Sequence, residues 1–425
     1  MVNKNIITTK NLIIGGGISG LTAAHFLKDN YLIVEKESEP GGYCKTIKNP
    51  NYIWDYAGHF YHFKTKEMEN LFKSLVEEKE IVIKEKNTKI FINDSLIDYP
   101  FQTNIHQLSK QDLIDSIYDL FFKNEKENYD NFLDMLYGKF GKTIVELFLK
   151  PYNEKLYATD LSTLDTNAMG RFFPYANLEE IIKNFKDQKK TSYNDTFLYL
   201  KKGTQYFTDK LFSTLDSNKV LLNTSVTSID EDKKIALTAD GKEIHYENII
   251  STIPLNHLLK ITKERQQTLL DEMSYNKVLV LNLGFDKKSP NFTNEHWIYF
   301  PDKALNFYRV GFYDNILDGD KLSVYVEVGY SKDASIDIDY ELKETLKNLE
   351  AVGITDNTMS LVDKSVIIMD PAYVHISEST NKKIDKLKKS LEKKQIYTTG
   401  RYGKWTYSSM EDCMVWAKEL VNKVK

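Results

Sequence analysis

Cysteine is nearly absent. Cys44 and Cys413 are the only two in 425 residues, too few for a disulfide framework or a structural zinc site. No apolar run approaches the roughly 20 residues that a membrane-spanning helix needs, and the N-terminus has no signal-peptide apolar core. There is no basic block either. The formal net charge of −4 mixes both signs along the chain, which leaves no electrostatic footprint for nucleic acid. Internal repeats and low-complexity linkers are also missing. These absences predict a cytoplasmic protein with no membrane span, no metal and no nucleic-acid partner. What is present is an ordinary globular composition, long enough for two or three domains. Aromatics are plentiful: 27 Tyr and 22 Phe, several of them gathered in short motifs.

The most informative stretch is Gly15-Gly-Gly-Ile-Ser-Gly20 with its flanks. Leu12–Ile14 reads as a short buried strand and Leu21–Leu27 as a helix. Tyr31–Val34 reads as a second strand, delivering Glu35 twenty residues after Gly15. In this order Gly15, Gly17 and Gly20 allow a tight turn, close approach to a pyrophosphate and close helix–strand packing. The helix start, with Ile18 and Ser19, faces the phosphates. Glu35, followed by Lys36, reaches the ribose hydroxyls. Gly41-Gly42 then suits the longer phosphate and ribityl chain of a flavin. The pattern predicts an FAD site; a glycine turn in another α/β unit is the competing reading.

The rest of the chain predicts an α/β fold. A Rossmann-like FAD-binding domain carries an inserted helical domain and an antiparallel-sheet substrate domain. Apolar residues at helical spacing mark Asp112–Phe122, Asn131–Phe140, Thr143–Leu149 and Tyr206–Leu215. Val220–Leu222, Val226–Ile229, Ile235–Leu237, Glu243–Tyr246 and Ile249–Ser251 read as strands returning to the first domain. Val278–Phe285, His296–Phe300, Leu305–Tyr313 and Ser323–Val328 alternate apolar and polar residues, as a second sheet would. Gln395–Thr398 returns to the first sheet, and Glu411–Lys423 closes the chain as a helix. The expected division is 1–98, 198–265 and 388–425 for the FAD-binding domain. Residues 99–197 form the inserted helical domain, which the resemblance described next makes the nucleotide-sugar-binding one, and 266–387 the antiparallel-sheet substrate domain.

The glycine fingerprint, Glu35, Gly41-Gly42 and Asp55-Tyr-Ala-Gly-His59 resemble the wide class of amine-oxidase-like flavoproteins. Three stretches narrow the resemblance: Tyr99-Pro-Phe-Gln-Thr-Asn-Ile105, Pro151-Tyr-Asn-Glu-Lys-Leu-Tyr-Ala158 and Phe307-Tyr-Arg-Val310. With Gly400-Arg-Tyr-Gly-Lys-Trp-Thr-Tyr407 they look like the UDP-galactopyranose mutase family, nearest its eukaryotic-type branch. The resemblance runs from about Leu12 to Trp416. It implies a Rossmann-like FAD domain, a helical domain and a six-stranded sheet domain. It also implies an isomerase that interconverts pyranose and furanose forms of a nucleotide-diphosphate sugar, for cell-surface polysaccharide biosynthesis. In this chemistry the N5 of reduced flavin attacks the anomeric carbon and the nucleoside diphosphate leaves. NAD(P)H is a candidate electron donor, and a homo-oligomer is compatible with the family.

The resemblance assigns residues too. Arg171 and Arg309 fall where the family's diphosphate-binding arginines lie, and a guanidinium can grip phosphate oxygens bidentately; pairing with a surface acid is the competing role. Tyr99, Phe101 and Gln102 match residues that stack on and bond to the base, and Asn153 and Tyr157 match others in the nucleotide pocket. Asn194 aligns with a substrate-contacting asparagine, and Tyr373 and Tyr407 with tyrosines that bond to the diphosphate. Gly58 and His59 fall by the isoalloxazine edge, with Gly400, Arg401, Ser409 and Met410 on the flavin and Val226 at its adenine. His62 reads as a packing or surface residue. Ala57, Thr103, Tyr157, Lys202 and Gln205 depart from the family pattern, which leaves the base and sugar open among UDP-, dTDP- and GDP-linked donors. An FAD-dependent oxidase or desaturase of the amine-oxidase or protoporphyrinogen-oxidase type is the alternative. It would have an apolar tunnel and no need for Arg171 and Arg309 together beside Asn153.

Overall fold

The computed structural model describes residues 6–170, 173–187, 195–263 and 266–424. Two seven-stranded sheets organise it. Strand β1 (Ile6–Ile14), helix α1 (Ile18–Leu27) and strand β2 (Tyr31–Val34) form the first βαβ unit, with Leu12–Ile14 in parallel register with Leu32–Val34. The long strand Glu243–Ser251 lies on the other side of β1, also parallel to it. These central segments are apolar on both faces because both are covered, as a parallel sheet requires. Ala and Leu residues of α1 are buried all round, since the C-terminal helix Met410–Val424 and the helix Gln205–Phe212 pack on it. Ile396–Thr398 extends Glu243–Ser251 at its far end, parallel to it. Thus three separated stretches of chain close one sheet.

The second sheet runs in the order Leu361–Met369, Asn276–Phe285, Ser323–Ser331, Arg309–Phe312, Trp297–Tyr299, Thr88–Ile92, Ser95–Asp98. It differs from expectation at both edges. Residues 88–98 were expected in the first nucleotide-binding half, yet this hairpin pairs with Trp297–Tyr299 of the second sheet and buries Ile90 and Ile97 against the helical region. The sheet has seven strands, one more than the six the resemblance implies. Leu361–Met369 was not anticipated. It is an edge strand whose outer face carries exposed Val362, Lys364 and Ile368, so its apolar alternation is weak.

The helical region runs from Lys110–Phe122 through Phe132–Ile144 to Lys150–Tyr157. Gly141, at φ 73°, breaks the middle helix. A wider turn over Val145–Leu149 follows, where a helix from Thr143 to Leu149 was expected. Pro151 lies in the first turn of the last helix, a position where its missing N–H costs nothing. The two cysteines are buried and unbonded. No described helix is long and apolar enough to cross a membrane.

Candidate functional site

The dinucleotide fingerprint is assembled as a cradle. Helix α1 begins at Gly17 with no side-chain cap, so its first N–H groups stay available to an anion. The Gly41-Gly42 loop lies against this helix start, with Gly41 N–H donating to Gly16 O at 2.9 Å. A Cβ on Gly42 would stand 3.2 Å from Gly17 Cα, so only glycines leave this channel open. Glu35 is buried without a cation; its Oε2 accepts from Gly16 N–H at 2.6 Å and its Oε1 from Glu37 N–H at 2.9 Å. Lys36 is exposed and pairs with Glu37. Val226 opens a strand next to Thr238 and is partly buried. An uncapped helix start, a glycine-walled channel and a buried carboxylate suit the phosphates and ribose of FAD.

The C-terminal motif comes to the same place. Gly400, at φ 79°, sits so close to α1 that a Cβ there would be 2.5 Å from Ser19 Oγ. That contact sets Arg401, whose guanidinium stacks over Tyr407, Tyr373 and Tyr402 at 4.6, 5.1 and 5.6 Å. It donates to Ala372 O at 3.2 Å, and no carboxylate among the described residues pairs with it. Ser409 caps the last helix: its Oγ accepts from Asp412 N–H at 3.1 Å, and Asp412 Oδ2 accepts from Ser409. Met410 packs partly buried beside Cys413 and Met414.

The loop bearing Gly58 and His59 is clamped from below. Asp55, completely buried, accepts from Thr46 Oγ1 at 2.5 Å, Thr204 Oγ1 at 2.6 Å and the Tyr199 hydroxyl at 2.7 Å. Burial pushes its carboxyl up, and these donors oppose the shift. Ala57 adopts φ 70°, a left-handed conformation in which alanine is strained. Gly58 packs on Tyr325, where a Cβ would meet the hydroxyl at 2.3 Å. His59 Nδ1 lies 3.3 Å from Ala57 O. Burial, with Arg401 and Arg309 nearby, lowers its pKa to about 4. His59 is therefore neutral in ordinary buffers, with Nδ1–H donating and Nε2 left as an acceptor.

Arg309 belongs to the second sheet. Tyr299, Arg309 and Glu327 stand in one cross-strand row. Arg309 Nη2 donates to Glu327 Oε1 at 2.5 Å, and Glu327 is only 1% exposed. Burial pushes the guanidinium pKa down, but Glu327 together with Tyr373, Tyr325 and Tyr308 outweighs it and holds Arg309 charged. Arg309 Nε and Glu327 Oε2 have no hydrogen-bond partner among the described residues. Tyr373 stacks on Tyr407 at 5.7 Å and stands between Arg309 and Arg401 in the field of both.

Aromatic side chains from the helical region close this chamber. Tyr152 packs edge-on to Tyr299 at 4.9 Å, Tyr99 meets Tyr299 at 5.2 Å, and Phe101 meets Phe148 at 5.2 Å. Tyr157 lies 6.1 Å from Tyr373, with His375 Nε2 bonded to its carbonyl at 2.8 Å. Gln102 donates its Nε2 to Pro174 O and Asn153 donates its Nδ2 to Leu149 O. Both carboxamide oxygens are buried without a partner among the described residues. Lys202 and Gln205 turn elsewhere: Lys202 pairs with Glu80, and Gln205 Oε1 accepts from Thr46 N–H at 3.1 Å. Arg171 and Asn194 lie outside the described residues. Sequence reasoning passed over Glu327, Tyr152 and Tyr299. The signal for Glu327 was a lone acid in the apolar run Ser323–Val328.

Several buried histidines give the fold a measurable acid limit. His59, His62 and His296 are lowered to about 4, chiefly by burial. His296 Nδ1 accepts Asn87 N–H at 3.1 Å and cannot carry a proton there without losing that bond. Between about pH 6.5 and pH 4 the unfolded chain binds more protons than the folded one. Stability is thus fully present above pH 6.5 and is lost as pH falls through about 4. Tm should drop markedly from pH 7 to 4.5, and His62→Gln with His296→Gln should flatten that slope. An unchanged slope in the double variant would count against the assignment.

The sequence profile of the flavin containing amine oxidoreductases matches residues 18–414. The chain belongs to that family. Within it, the chain has the fold of reduced UDP-galactopyranose mutase: a solved structure of that protein has a TM-score of 0.92 over 98% of this chain and 94% of that one, at 24% identity. Two curated relatives by sequence are oxidases. Coproporphyrinogen III oxidase of Staphylococcus aureus (strain NCTC 8325 / PS 47) is 25% identical over 334 residues, 68% of this chain and 70% of that one. Protoporphyrinogen oxidase of Dictyostelium discoideum is 31% identical over 155 residues, 34% of this chain and 27% of that one.

Proposed function

We propose that this protein is a flavin-dependent mutase interconverting pyranose and furanose forms of a nucleotide-diphosphate sugar, UDP-galactose or a related UDP-, dTDP- or GDP-sugar. The observation that carries the reading is Arg309, a charged guanidinium set by Glu327 in an aromatic chamber that also holds Arg401. An apolar substrate gives no reason to keep two half-buried arginines there, whereas a departing diphosphate does. FAD, once reduced, supplies the nucleophile for the anomeric carbon. The chain supplies position and charge. Arg309, joined by Arg171, opposes the negative charge that grows on the diphosphate as its bond to the sugar breaks. The Tyr373 and Tyr407 hydroxyls bind the diphosphate, and Asn194 contacts the sugar. The unpartnered oxygens of Gln102 and Asn153 suit N–H or O–H donors of a base and its ribose, with Tyr99, Phe101 and Tyr157 as apolar walls. His59, held neutral by burial, would stand at the flavin edge without adding a charge.

The same proposal gives 1–98, 198–265 and 388–425 to cofactor binding, less the hairpin Thr88–Asp98 that edges the second sheet, 99–197 to the nucleotide and 266–387 to the floor beneath the sugar. The oxidase reading is favoured by the names of the two curated relatives. One experiment separates them. Dithionite-reduced protein is incubated anaerobically with a panel of UDP-, dTDP- and GDP-sugars, furanose forms included, beside an oxidised control. Conversion to an isomer of unchanged mass, only with reduced flavin, is the expected result. No isomer from any donor, with coproporphyrinogen or an amine reducing the flavin instead, would establish the oxidase.

A further inference from the structure

The helix Lys150–Tyr157 carries Asn153 and Tyr157 and ends at Ala158, whose φ of 50° turns the chain away. A helix end leaves carbonyls without backbone donors. Here two side chains from outside the helix take them. Asn276 Nδ2 donates to Leu156 O at 2.5 Å, and His375 Nε2 lies 2.8 Å from Tyr157 O. A carbonyl only accepts, so His375 carries its proton on Nε2, and its Nδ1 accepts from Ser274 Oγ at 2.8 Å. Burial lowers the His375 pKa, in keeping with a neutral ring. Lys155 adds a third tie, donating to Phe300 O at 2.9 Å and Asp302 O at 2.7 Å. Gly329 lets the helix end sit this close: a Cβ there would stand 2.2 Å from Lys155 O.

Asn276 also faces the other way. Its Oδ1 accepts from Tyr373 N–H at 2.7 Å. Its main chain donates to Tyr373 O and accepts from Ala372 N–H, both at 2.9 Å. One fully buried carboxamide thus joins the backbone of Leu156 to that of Tyr373, and the Tyr157 and Tyr373 rings stand 6.1 Å apart. We infer that Asn276 and His375 are positioning residues that fix the spacing between the base wall, Asn153 and Tyr157, and the diphosphate tyrosine, Tyr373. The chamber then selects a whole nucleoside diphosphate over its separate parts. This role presupposes the nucleotide-sugar reading of the chamber. Both residues act through the main chain of a neighbour. A ligand that spans both sites gains from the second contact only when the spacing matches, because that contact is then intramolecular. With the spacing loosened, each half still binds and their cooperation is lost.

Calorimetric titration of the FAD-loaded, oxidised protein tests this, with UDP, dTDP and GDP as whole ligands and inorganic pyrophosphate as the part. His375→Leu removes the donor to Tyr157 O, and His375→Gln keeps an amide N–H for it. Asn276→Ser is too short to span from Leu156 to Tyr373. His375→Leu and Asn276→Ser should bind the preferred nucleoside diphosphate about 10-fold or more weakly, with pyrophosphate weakened less than about threefold. Flavin content should stay at the wild-type level, and His375→Gln should return to within about threefold of wild type. If Asn276→Ser fails to fold, the two His375 variants decide alone. A wild type that binds none of the three diphosphates overturns the nucleotide-sugar reading and this role with it. A wild type that binds, beside a His375→Leu that binds equally well, overturns the positioning role and leaves that reading standing. So does pyrophosphate weakened as much as the whole ligand, or a His375→Gln no better than His375→Leu.

Discussion

Arg309→Lys should keep the fold and the bound flavin yet lose roughly 100- to 1,000-fold in turnover, the usual cost of removing one transition-state charge contact. Lysine retains the positive charge opposite Glu327 but not the planar fork that serves a carboxylate and a phosphate at once. Arg309→Ala asks a different question. It strands Glu327, 1% exposed, as a buried carboxylate without its cation, which should destabilise the fold by about 3–5 kcal/mol. Inactivity of the alanine variant alone would therefore be ambiguous. The pair Arg309→Met/Glu327→Gln removes both charges together and should regain most of that stability with no regain of turnover. Measured together, Tm, flavin absorbance and turnover separate the two roles. Normal activity in Arg309→Lys would sink the diphosphate assignment. Full activity in the double variant would remove charge from the mechanism altogether.

How far this was legible in the sequence follows from how local each feature is. The βαβ unit was readable because its evidence lies within Leu12–Glu35: apolar strands, a glycine turn and an acid at fixed spacing. The return to the first sheet was readable because its strands stand out as short apolar segments after Gly203 and before the last helix. The hairpin at 88–98 was not. Its partner, Trp297–Tyr299, is two hundred residues away, and nothing in Thr88–Asp98 says which sheet it will edge. Glu327 shows the same limit at the site. Opposite Arg309 only because of the register between two antiparallel strands, it is invisible as a partner until that register is known. The same pairing changes what the Arg309 variants mean. Ala57 was legible as an oddity, an alanine where relatives have glycine, and its φ of 70° gives the physical reason that glycine would be preferred.

Gly17→Ala should leave the polypeptide intact and cost the protein its cofactor. A Cβ at Gly17 would meet nothing nearer than Gly42 Cα at 3.6 Å, an ordinary contact, and its φ of −75° suits alanine. The methyl group would stand at the uncapped start of α1, in the space left for the phosphates. FAD affinity should fall by roughly 100-fold, or ~3 kcal/mol, while the apo form keeps its fold and loses only about 1 kcal/mol at the N-cap. Gly20→Ala should fail in the opposite way. Its Cβ would lie 2.0 Å from Gly15 O, a backbone atom that cannot yield, so α1 would have to lift from β1 and the apo fold itself should be lost. Fluorescence titration of FAD beside calorimetry of the apo proteins distinguishes the two. If Gly17→Ala binds FAD like wild type, the phosphates do not approach the helix start, and the cradle must be redrawn around Gly41-Gly42. If both variants unfold alike, the glycines serve packing alone, and the fingerprint argument for this cofactor loses its physical basis.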